Sequence, residues 1–341
     1  MSIRQGFSGE PDERGTSGSG VSDVSNAPQI SVVIPCHDSA AVIGVQLEAL
    51  ARQVEAPPFE VICVDNRSRD DLETALDPYR RLLDLRLVSA DQMANPGYAR
   101  NVGVAGARAD RLAFCDSDDH VSRTWVRDAA AALEVTAIVN GGATPVRDGE
   151  FTHGPAHLDA VLDELSPLPG RVEVDVPSSP VPYPILLGGS CAFRADAYRA
   201  LGGYDVAMPY GVEDNDLALR AQAAGFVIGR STGMRLAYRS RPESEQTWRR
   251  SFRAGRLQAL LSARHHLHGR SPSFAPGWWW GLPRTGAAAL RMLVKPGDRD
   301  WLGLRQRAAL NAGLIVGEIR HGVFRDVPTT SVGVGLRPSG R

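Results

Sequence analysis

The sequence predicts an α/β protein built on a Rossmann-like, mostly parallel sheet flanked by helices. Two observations carry this prediction. Short apolar runs rich in β-branched residues alternate with segments of helical periodicity over residues 30–140. Polar side chains, most of them acidic, follow several of these runs directly. Parallel strands end at one edge of their sheet, where ligands bind, so the pattern also predicts where a site would lie.

Each predicted strand is a short, mostly apolar run that a polar or turn-forming residue closes. The first run ends in Pro-Cys-His-Asp, and no Gly-x-Gly-x-x-Gly turn follows it, which excludes a nicotinamide-binding sheet. The predicted strands are 30–35, 59–64, 85–88, 111–115, 135–140, 226–229 and 234–238, and residues 188–193 form a further small, apolar stretch.

Helices are predicted where a capping residue precedes a 3.6-residue pattern. Ser39 and Thr124 are the expected first residues of two helices, and Gly225 is expected to end another. Residues 145–184 are rich in proline and weakly periodic, so we expect a long excursion across the sheet there. The other predicted helices are 70–83 and 97–107, and the helix that Gly225 ends begins at Glu213.

Composition divides the chain into three parts. Residues 1–27 are rich in glycine, serine and acidic residues and carry no apolar segment, so they predict a disordered tail without a signal peptide. Residues 28–240 hold the α/β pattern. Residues 241–341 contain 17 basic and 6 acidic residues, although the whole chain has a net charge of −1, and they predict a basic helical extension.

The acidic turn Asp116-Ser117-Asp118-Asp119 directly follows the fourth predicted strand. Three carboxylates within four residues repel one another unless a cation or solvent screens them. Hard cations such as Mg²⁺ and Mn²⁺ prefer carboxylate oxygens together with substrate phosphates. The turn therefore predicts a metal site at a nucleotide diphosphate, with a solvated, helix-capping turn as the alternative.

Asp65 and Arg100 are candidates at the same edge. Asp65 ends the second strand, where a carboxylate can bind a ribose or base, although Asp-Asn-Arg-Ser also forms an Asx-turn. Arg100 belongs to a helix of small residues, and its guanidinium either reaches a phosphate or base or lies at the surface.

Glu213 and Asp214 begin a predicted helix. Free backbone amides and the helix dipole stabilise a carboxylate at that place. The same carboxylate is well placed to take a proton from an acceptor hydroxyl. A helix cap and a general base are both consistent with the sequence.

Seven segments resemble, in order, the family 2 glycosyltransferases, which are inverting enzymes with the GT-A fold. The resemblance covers about residues 30–240, and its specificity comes from the order of the segments. They are Val-Val-Ile-Pro-Cys-His-Asp (32–38), Val-Asp-Asn-Arg-Ser-Arg-Asp (64–70), Ala-Arg-Asn-Val-Gly (99–103), Phe-Cys-Asp-Ser-Asp-Asp (114–119), Gly-Gly-Ser-Cys-Ala-Phe-Arg (188–194), Leu-Gly-Gly-Tyr-Asp (201–205) and Gly-Val-Glu-Asp-Asn-Asp-Leu-Ala-Leu-Arg (211–220).

The resemblance implies transfer of a sugar from a UDP-, GDP- or dTDP-sugar to a hydroxyl of a glycan, a lipid-linked or a small-molecule acceptor, as in cell-wall or polysaccharide biosynthesis. It also implies Mg²⁺ or Mn²⁺ as cofactor. Asp214 would be the general base, with Glu213 beside it. The other implied residues are Pro35, His37, Asp65, Arg100 and Asp116 for the donor, Asp118 and Asp116 for the metal, and Gly189 and Ser190 for the acceptor.

The sequence departs from the family pattern in two places. The second-strand loop reads Asp65-Asn66-Arg67-Ser68 where the family often has Asp-Asp-Gly-Ser, and Tyr238 stands where many members have a histidine. Two other interpretations stay open. They are a catalytically degenerate scaffold that binds sugar nucleotides and a nucleotidyltransferase of similar fold, although no glycine-rich phosphate loop follows Ile34.

The basic region raises a separate question. Its tryptophans, among them Trp278-Trp279-Trp280, either pack on the core or place a basic surface on an anionic membrane. The histidines in 265–268 are expected on a surface helix, and no nucleic-acid motif accompanies the charge. We therefore expect a cytoplasmic protein with peripheral contact at the inner membrane face. Its four cysteines lack zinc-ligand spacing and are expected to be buried thiols.

Overall fold

A computed structural model describes residues 27–165, 174–178, 181–240, 247–274, 277–294 and 300–337. The predicted disordered tail lies almost wholly outside the described residues. Nine strands form one sheet: β1 Ile30–Cys36, β2 Phe59–Asp65, β3 Asp84–Ser89, β4 Arg111–Cys115, β5 His120–Val121, β6 Ile138–Arg147, β7 Val174–Asp175, β8 Ser190–Arg194 and β9 Ile228–Ser240.

The sheet has a parallel half and a mixed half. Its strand order is β3-β2-β1-β4-β8-β6-β9-β5, and β7 pairs with β9. Strands β3, β2, β1 and β4 are parallel to one another, as the sequence predicts. β8 runs antiparallel to both β4 and β6, so the first residues of β8 lie beside the last residues of β4. The two short strands predicted at 226–229 and 234–238 are one continuous strand, β9.

Ten α-helices surround and extend this sheet in the described ranges. The helix predicted over 70–83 is shorter than expected, and a helix that the sequence did not predict lies within 145–184. The helices are α1 Ile43–Ala51, α2 Leu72–Leu76, α3 Pro96–Ala105, α4 Trp125–Val135, α5 Pro155–Leu165, α6 Ala195–Ala200, α7 Glu213–Ala223, α8 Thr247–His265, α9 Gly281–Val294 and α10 Trp301–Gly317.

Two of the expected helix starts differ in detail. Ser39 does not cap α1 with its side chain; its carbonyl oxygen accepts hydrogen bonds from Val42 and Ile43 in a turn that precedes the helix. Thr124 does precede α4, but its hydroxyl donates to Asp128 and not to the backbone. Ser39 and Thr124 therefore lie near the first residues of α1 and α4, as predicted, but neither side chain makes the capping hydrogen bond to the helix backbone.

The core consists of two apolar layers, one on each face of the sheet. Alternate residues of a strand enter opposite layers, as the two-residue period of a strand requires: Val32 lies in one layer and Val33 in the other. α3 packs very close to the sheet, because a Cβ atom on Gly103 would lie only 2.4 Å from Cγ1 of Val33. All four cysteines are buried and free, as predicted.

The C-terminal part returns to the α/β domain after its helices. α8 and α10 pack together, and Gly255 and Gly313 lie at their contact. Residues 327–337 then run over the core, where Asn101 donates from Nδ2 to the carbonyl oxygen of Val334 at 2.8 Å. The backbone amide of Gly333 donates to the carbonyl oxygen of Gly202 at 2.7 Å. The basic region is thus fixed to the α/β domain from both ends.

Candidate active site

The predicted candidates meet at the carboxyl edge of the parallel strands. The acidic turn follows β4, and Arg100 lies in α3, which leads into β4. Gly188 and Gly189 precede β8, whose antiparallel course places them beside the end of β4. Glu213 and Asp214 open α7. Residues from four separate segments thus converge, as their positions at strand and helix ends predict.

Arg100 is the cation at the centre of this cluster. Its side chain is 4% exposed, and Nη2 donates to Oδ1 of Asp116 at 2.6 Å. Its Nη1 lies 4.0 Å from Oε1 of Glu213 and 4.0 Å from Oδ1 of Asp214. The guanidinium also lies 5.3 Å from the ring centroid of Tyr204. One buried arginine therefore faces three carboxylates, and its Nη1 and Nε have no hydrogen-bond partner among the described residues.

Asp214 lies over the backbone of the loop before β8. Its Oδ2 accepts from the amide of Gly188 at 3.2 Å, whereas its Oδ1 has no hydrogen-bond partner in the described part of the chain. A Cβ atom on Gly188 would lie 2.4 Å from Oδ1, so only glycine leaves room for this carboxylate. Burial raises the pKa of Asp214, the charge of Arg100 lowers it, and the net shift is upward.

Glu213 has a structural role in the same cluster. Its Oε2 accepts hydrogen bonds from the backbone amides of Gly211 and Val212, in the turn that precedes α7. The side chain is almost fully buried. Burial, with the charge of Asp214 in second place, raises the pKa of Glu213 to about 7. Glu213 is thus bonded to the turn before α7, while Asp214 keeps one carboxylate oxygen without a hydrogen-bond partner among the described residues.

The acidic turn is anchored by Arg239, which sequence reasoning did not identify. The backbone amide of Arg239 donates to Oδ1 of Asp119 at 2.9 Å, and its Nε donates to the carbonyl oxygen of Asp118 at 2.8 Å. Asp119 is buried, and burial together with the charge of Asp116 raises its pKa to about 8. Because β9 is one continuous strand, Arg239 can hold the turn from the neighbouring edge.

The acidic turn is chemically suited to a hard divalent cation. Asp116 and Asp118 offer carboxylate oxygens beside a pocket, and the buried Asp119 adds a third acidic group. A Cβ atom on Gly189 would lie 2.8 Å from Oδ2 of Asp116, so glycine keeps the space beside that oxygen open. An all-oxygen donor set of this kind fits Mg²⁺ or Mn²⁺.

A pocket of about 510 Å³ opens in front of the acidic turn. Two of the predicted donor-binding residues from the first strand exit, Pro35 and His37, line it. His37 also hydrogen-bonds through Nδ1 to the carbonyl oxygen of Asn66 at 2.9 Å. The described lining residues are Pro35, Cys36, His37, Asp38, Ser39, Val42, Asn66, Ala94, Asn95, Pro96, Arg100, Asp116, Ser117, Asp118 and Tyr210.

Asp65 is not among these lining residues, although the sequence placed it in the donor site. Its Oδ1 accepts from the amide of Ser68 at 2.8 Å, which is the Asx-turn considered as the alternative. Asn66 lines the pocket in its place and fixes the neighbouring loop through its side chain, with bonds to Ala90, Met93 and Asn95. In this structure Asp65 therefore shapes the turn behind the pocket.

Ser190 is also placed differently from the expectation. Its side chain is fully buried, and its hydroxyl accepts from Nε1 of Trp125 at 3.1 Å. The hydroxyl therefore faces the core and not the side of the pocket where a sugar acceptor was expected. Gly189, one residue earlier, lies at the acidic turn.

Two exposed tyrosines flank the site. Tyr210 lines the pocket and is 64% exposed. Tyr238, expected at a position where relatives have histidine, is half exposed. Burial, followed by the negative charges of Asp119 and Asp118, raises the pKa of Tyr238.

The predicted histidine cluster is dispersed. His265 bonds to Oδ1 of the buried Asp216 at 2.8 Å, and His268 bonds to Oε2 of Glu318 at 2.9 Å. His266 has a φ of +53° at the end of α8. Trp278 packs on the buried Phe274, with ring centroids 4.8 Å apart. No helix in the described ranges is both long and apolar enough to cross a bilayer.

The mixed sheet and its flanking helices have the GT-A fold. The model of glycosyl transferase family 2 matches residues 31–202, about half of the chain, so the protein belongs to that family. A second model, the N-terminal domain of galactosyltransferase, matches residues 169–242.

Individual relatives agree with this assignment. The poly(ribitol-phosphate) β-N-acetylglucosaminyltransferase TarS of Staphylococcus aureus is 32% identical over 108 residues, which cover 31% of this chain and 19% of TarS. Validoxylamine A glucosyltransferase of Streptomyces hygroscopicus subsp. limoneus is 28% identical over 290 residues, 77% of this chain and 61% of that protein. Each match covers less than two thirds of the relative's own length.

One solved structure shows the same fold over most of the chain. The mannosyltransferase PcManGT from Pyrobaculum calidifontis, in complex with GDP-Man and Mn²⁺, superposes with a TM-score of 0.57. The superposition covers 88% of both chains at 17% sequence identity.

Proposed function

We propose that this protein is an inverting glycosyltransferase that moves a sugar from a nucleotide-diphosphate donor to an acceptor hydroxyl. One observation carries the proposal. The acidic turn and Arg100 border the pocket, and Asp214, with a free Oδ1, lies 4.0 Å from that arginine. An anion-binding side, a cation-binding side and a candidate base thus converge on one place.

The donor would lie along the pocket with its diphosphate at the acidic turn. Asp118 and Asp116 would hold Mg²⁺ or Mn²⁺, which when bound stabilises negative charge on the departing nucleoside diphosphate. Pro35 and His37 would contact the nucleoside. UDP-, GDP- and dTDP-sugars are the panel to test, and PcManGT was solved with GDP-Man. Arg100 would face the sugar-phosphate end of the donor.

Asp214 would act as the general base. As the acceptor oxygen forms its bond to the anomeric carbon, the bond from that carbon to the diphosphate oxygen breaks, and the hydroxyl proton passes to Asp214 Oδ1. A single displacement inverts the anomeric centre. The raised pKa of Asp214 favours this role, because a more basic carboxylate takes a proton more readily.

The acceptor would approach over Gly189, on the side where no Cβ atom crowds Asp116. The name of TarS includes a polymer, poly(ribitol-phosphate), and the name of validoxylamine A glucosyltransferase includes a small molecule. A glycan, a lipid-linked sugar and a small molecule are therefore the classes to test, in a role such as cell-wall or polysaccharide biosynthesis.

The direct test is release of nucleoside diphosphate from a panel of nucleotide sugars with Mn²⁺. We expect one donor to be consumed, through slow hydrolysis without an acceptor and faster transfer with one. Asp214→Asn should bind that donor and release little diphosphate. Donor binding without turnover in the unaltered protein would support a degenerate scaffold, and release of inorganic pyrophosphate from a nucleotide and a sugar phosphate would indicate a nucleotidyltransferase.

We further propose that the basic C-terminal region contacts an anionic membrane surface. Apolar side chains are exposed there, with Trp279 57%, Trp280 54% and Trp301 41% exposed, within a sequence region of 17 basic and 6 acidic residues. Exposed tryptophans beside basic residues are typical of proteins that lie on anionic lipid.

Vesicle co-sedimentation tests this contact. We expect binding to vesicles that contain phosphatidylserine, whose surface potential is negative, and little binding to neutral vesicles. Replacing Trp279 and Trp280 with serine should reduce binding, while Leu82→Ser, which changes an exposed residue of the α/β domain, should not. Equal binding by both variants would contradict the proposal.

A further inference from the structure

A cluster of metal-ligating side chains lies outside the donor pocket, on the segment that follows β6. Glu150 and His153 belong to the short 3₁₀ helix Asp148–His153, and His157 lies in the first turns of α5. Each of the three residues offers one ligand atom, and these three atoms lie within 4.8 Å of one another. Nε2 of His157 is 2.7 Å from Oε2 of Glu150, and Nδ1 of His153 is 3.6 Å from the same oxygen.

The spacing of these atoms suits a small divalent transition metal. Two ligands bound at about 2.1 Å in tetrahedral geometry lie about 3.4 Å apart. The two contacts to Glu150, at 2.7 and 3.6 Å, bracket that value, and all three ligand atoms lie within 4.8 Å of one another. The rings of His153 and His157 are already edge to face at 4.9 Å between centroids.

The ligand types distinguish this cluster from the acidic turn. Two imidazoles and one carboxylate form a set that borderline metals such as Zn²⁺ and Co²⁺ prefer, whereas Mg²⁺ and Mn²⁺ prefer all-oxygen sets. All three side chains are between 37% and 59% exposed, so a metal ion can reach them from solvent. Zn²⁺ and Co²⁺ are therefore the ions to test at this cluster.

The backbone beneath the cluster is fixed. Phe151 is buried in a small apolar cluster with Val146 and Leu158, which holds the 3₁₀ helix against β6 and α5. Gly154, with a φ of +84°, makes the sharp turn between the two helical segments and brings His157 back over Glu150. The ligands thus project from a preformed support, which lowers the ordering cost of binding.

The same segment touches the support of the acidic turn. The guanidinium of Arg239 lies over the ring of Phe151 at 4.1 Å, and its Nη1 donates to Oδ1 of Asp148 at 3.0 Å. Arg239 in turn donates to the carbonyl oxygen of Asp118. A metal that ties the 3₁₀ helix to α5 would therefore stiffen the segment on which Arg239 rests.

We propose that Glu150, His153 and His157 form a second metal site that binds Zn²⁺ through two imidazoles and one carboxylate, with water as the remaining ligand. The site is structural: it joins the 3₁₀ helix to α5. It does not depend on the proposed transferase activity, because none of its ligands lines the donor pocket.

Titration of the metal-free, untagged full chain tests the site, with Zn²⁺ in calorimetry and Co²⁺ as a visible-absorption probe. We expect one Zn²⁺ per chain at this cluster, a Co²⁺ spectrum with d–d bands, and an increase in Tm on adding Zn²⁺. His153→Ala and His157→Ala should each weaken Zn²⁺ binding at least about tenfold. Both positions are exposed, so equal Tm values without metal will verify that the variants fold.

Two control variants separate this site from other metal-binding groups. His268→Ala removes a histidine that hydrogen-bonds to the carboxylate of Glu318 at 2.9 Å, much as His157 bonds to Glu150. This variant should leave Zn²⁺ binding unchanged. Asp118→Asn alters the acidic turn and should also leave it unchanged. Zn²⁺ binding that survives the double change at His153 and His157, or the lack of any Zn²⁺ binding at 100 μM (about −5 kcal/mol), would overturn the proposal.

Discussion

Replacing Arg100 with methionine should destabilise the protein, and by an amount that depends on pH. The change removes the only charge that faces Asp116, Glu213 and Asp214 from within the buried cluster described above. At 4.0 Å and an effective dielectric constant of about 20, each pair contributes roughly 4 kcal/mol before desolvation. Breaking a buried ion pair from one side costs about 3–5 kcal/mol, which is the loss in unfolding free energy that we expect at pH 8.

The loss should shrink at lower pH because of Glu213. Its folded-state pKa, about 7, is raised above the usual value of 4.5, so its contribution to stability is full at low pH and is lost as the pH rises through 7. At pH 5.5 Glu213 is already protonated and needs no cation. Because pH 8 lies one unit above that pKa, and one unit corresponds to about 1.4 kcal/mol, the cost of the Arg100 change should be up to about 1.4 kcal/mol smaller at pH 5.5 than at pH 8.

Urea unfolding at pH 5.5 and pH 8, with linear extrapolation, measures both quantities. Arg86→Met is the matched control, since Arg86 bonds to the buried Glu60 at 2.6 Å. Burial raises the pKa of Glu60, whereas hydrogen bonds from Ser31, Arg108 and Arg86 lower it by a larger amount. The net shift is downward, so Glu60 stays ionised across this range. The cost of the control should not change between the two pH values. An equally constant cost for Arg100→Met would refute the reasoning.

Three further changes test the site. Asp214→Asn should keep donor binding and lower transfer by about 10²-fold or more, measured as diphosphate release, and full turnover would assign the base elsewhere. Gly188→Ala should lower transfer at least about tenfold, because its Cβ would lie 2.4 Å from Asp214, whereas Gly142→Ala meets nothing within 4 Å and should be neutral in the same assay. Arg239→Met should weaken Mn²⁺-dependent diphosphate binding about tenfold in calorimetry, and unchanged affinity would show that its bonds to Asp118 and Asp119 do not position the turn.

The strand exits were the part of the site that the sequence could predict. Asp116 and His37 lie at the same edge because parallel strands linked by helices must end there. Arg100 and Asp214 are 114 positions apart, yet both belong to helices that begin or end at that edge. Topology alone brings such residues together, without knowledge of any side-chain contact.

The contacts that sequence reasoning missed depend on direction and continuity. Ser190 was expected at the acceptor, but in the antiparallel β8 its side chain points into the core, and neighbouring Gly189 faces the acidic turn. Arg239 was missed because the predicted strand ended at Tyr238, whereas β9 continues to Ser240. Asp65 gave way to Asn66 because a one-residue difference at a strand end reverses which side chain faces the pocket.

The most direct test of the proposed donor site is calorimetry with UDP, GDP, dTDP and ADP, each with Mn²⁺ and with chelator. The proposal predicts that one of them binds tightly, that chelator weakens its binding at least about tenfold, and that Asp118→Asn removes this dependence on metal. Asp110→Asn, which changes an exposed aspartate at the opposite end of β4, should behave like the unaltered protein. Binding that is equal with Mn²⁺, with chelator and in Asp118→Asn would contradict a metal-dependent donor site at the acidic turn.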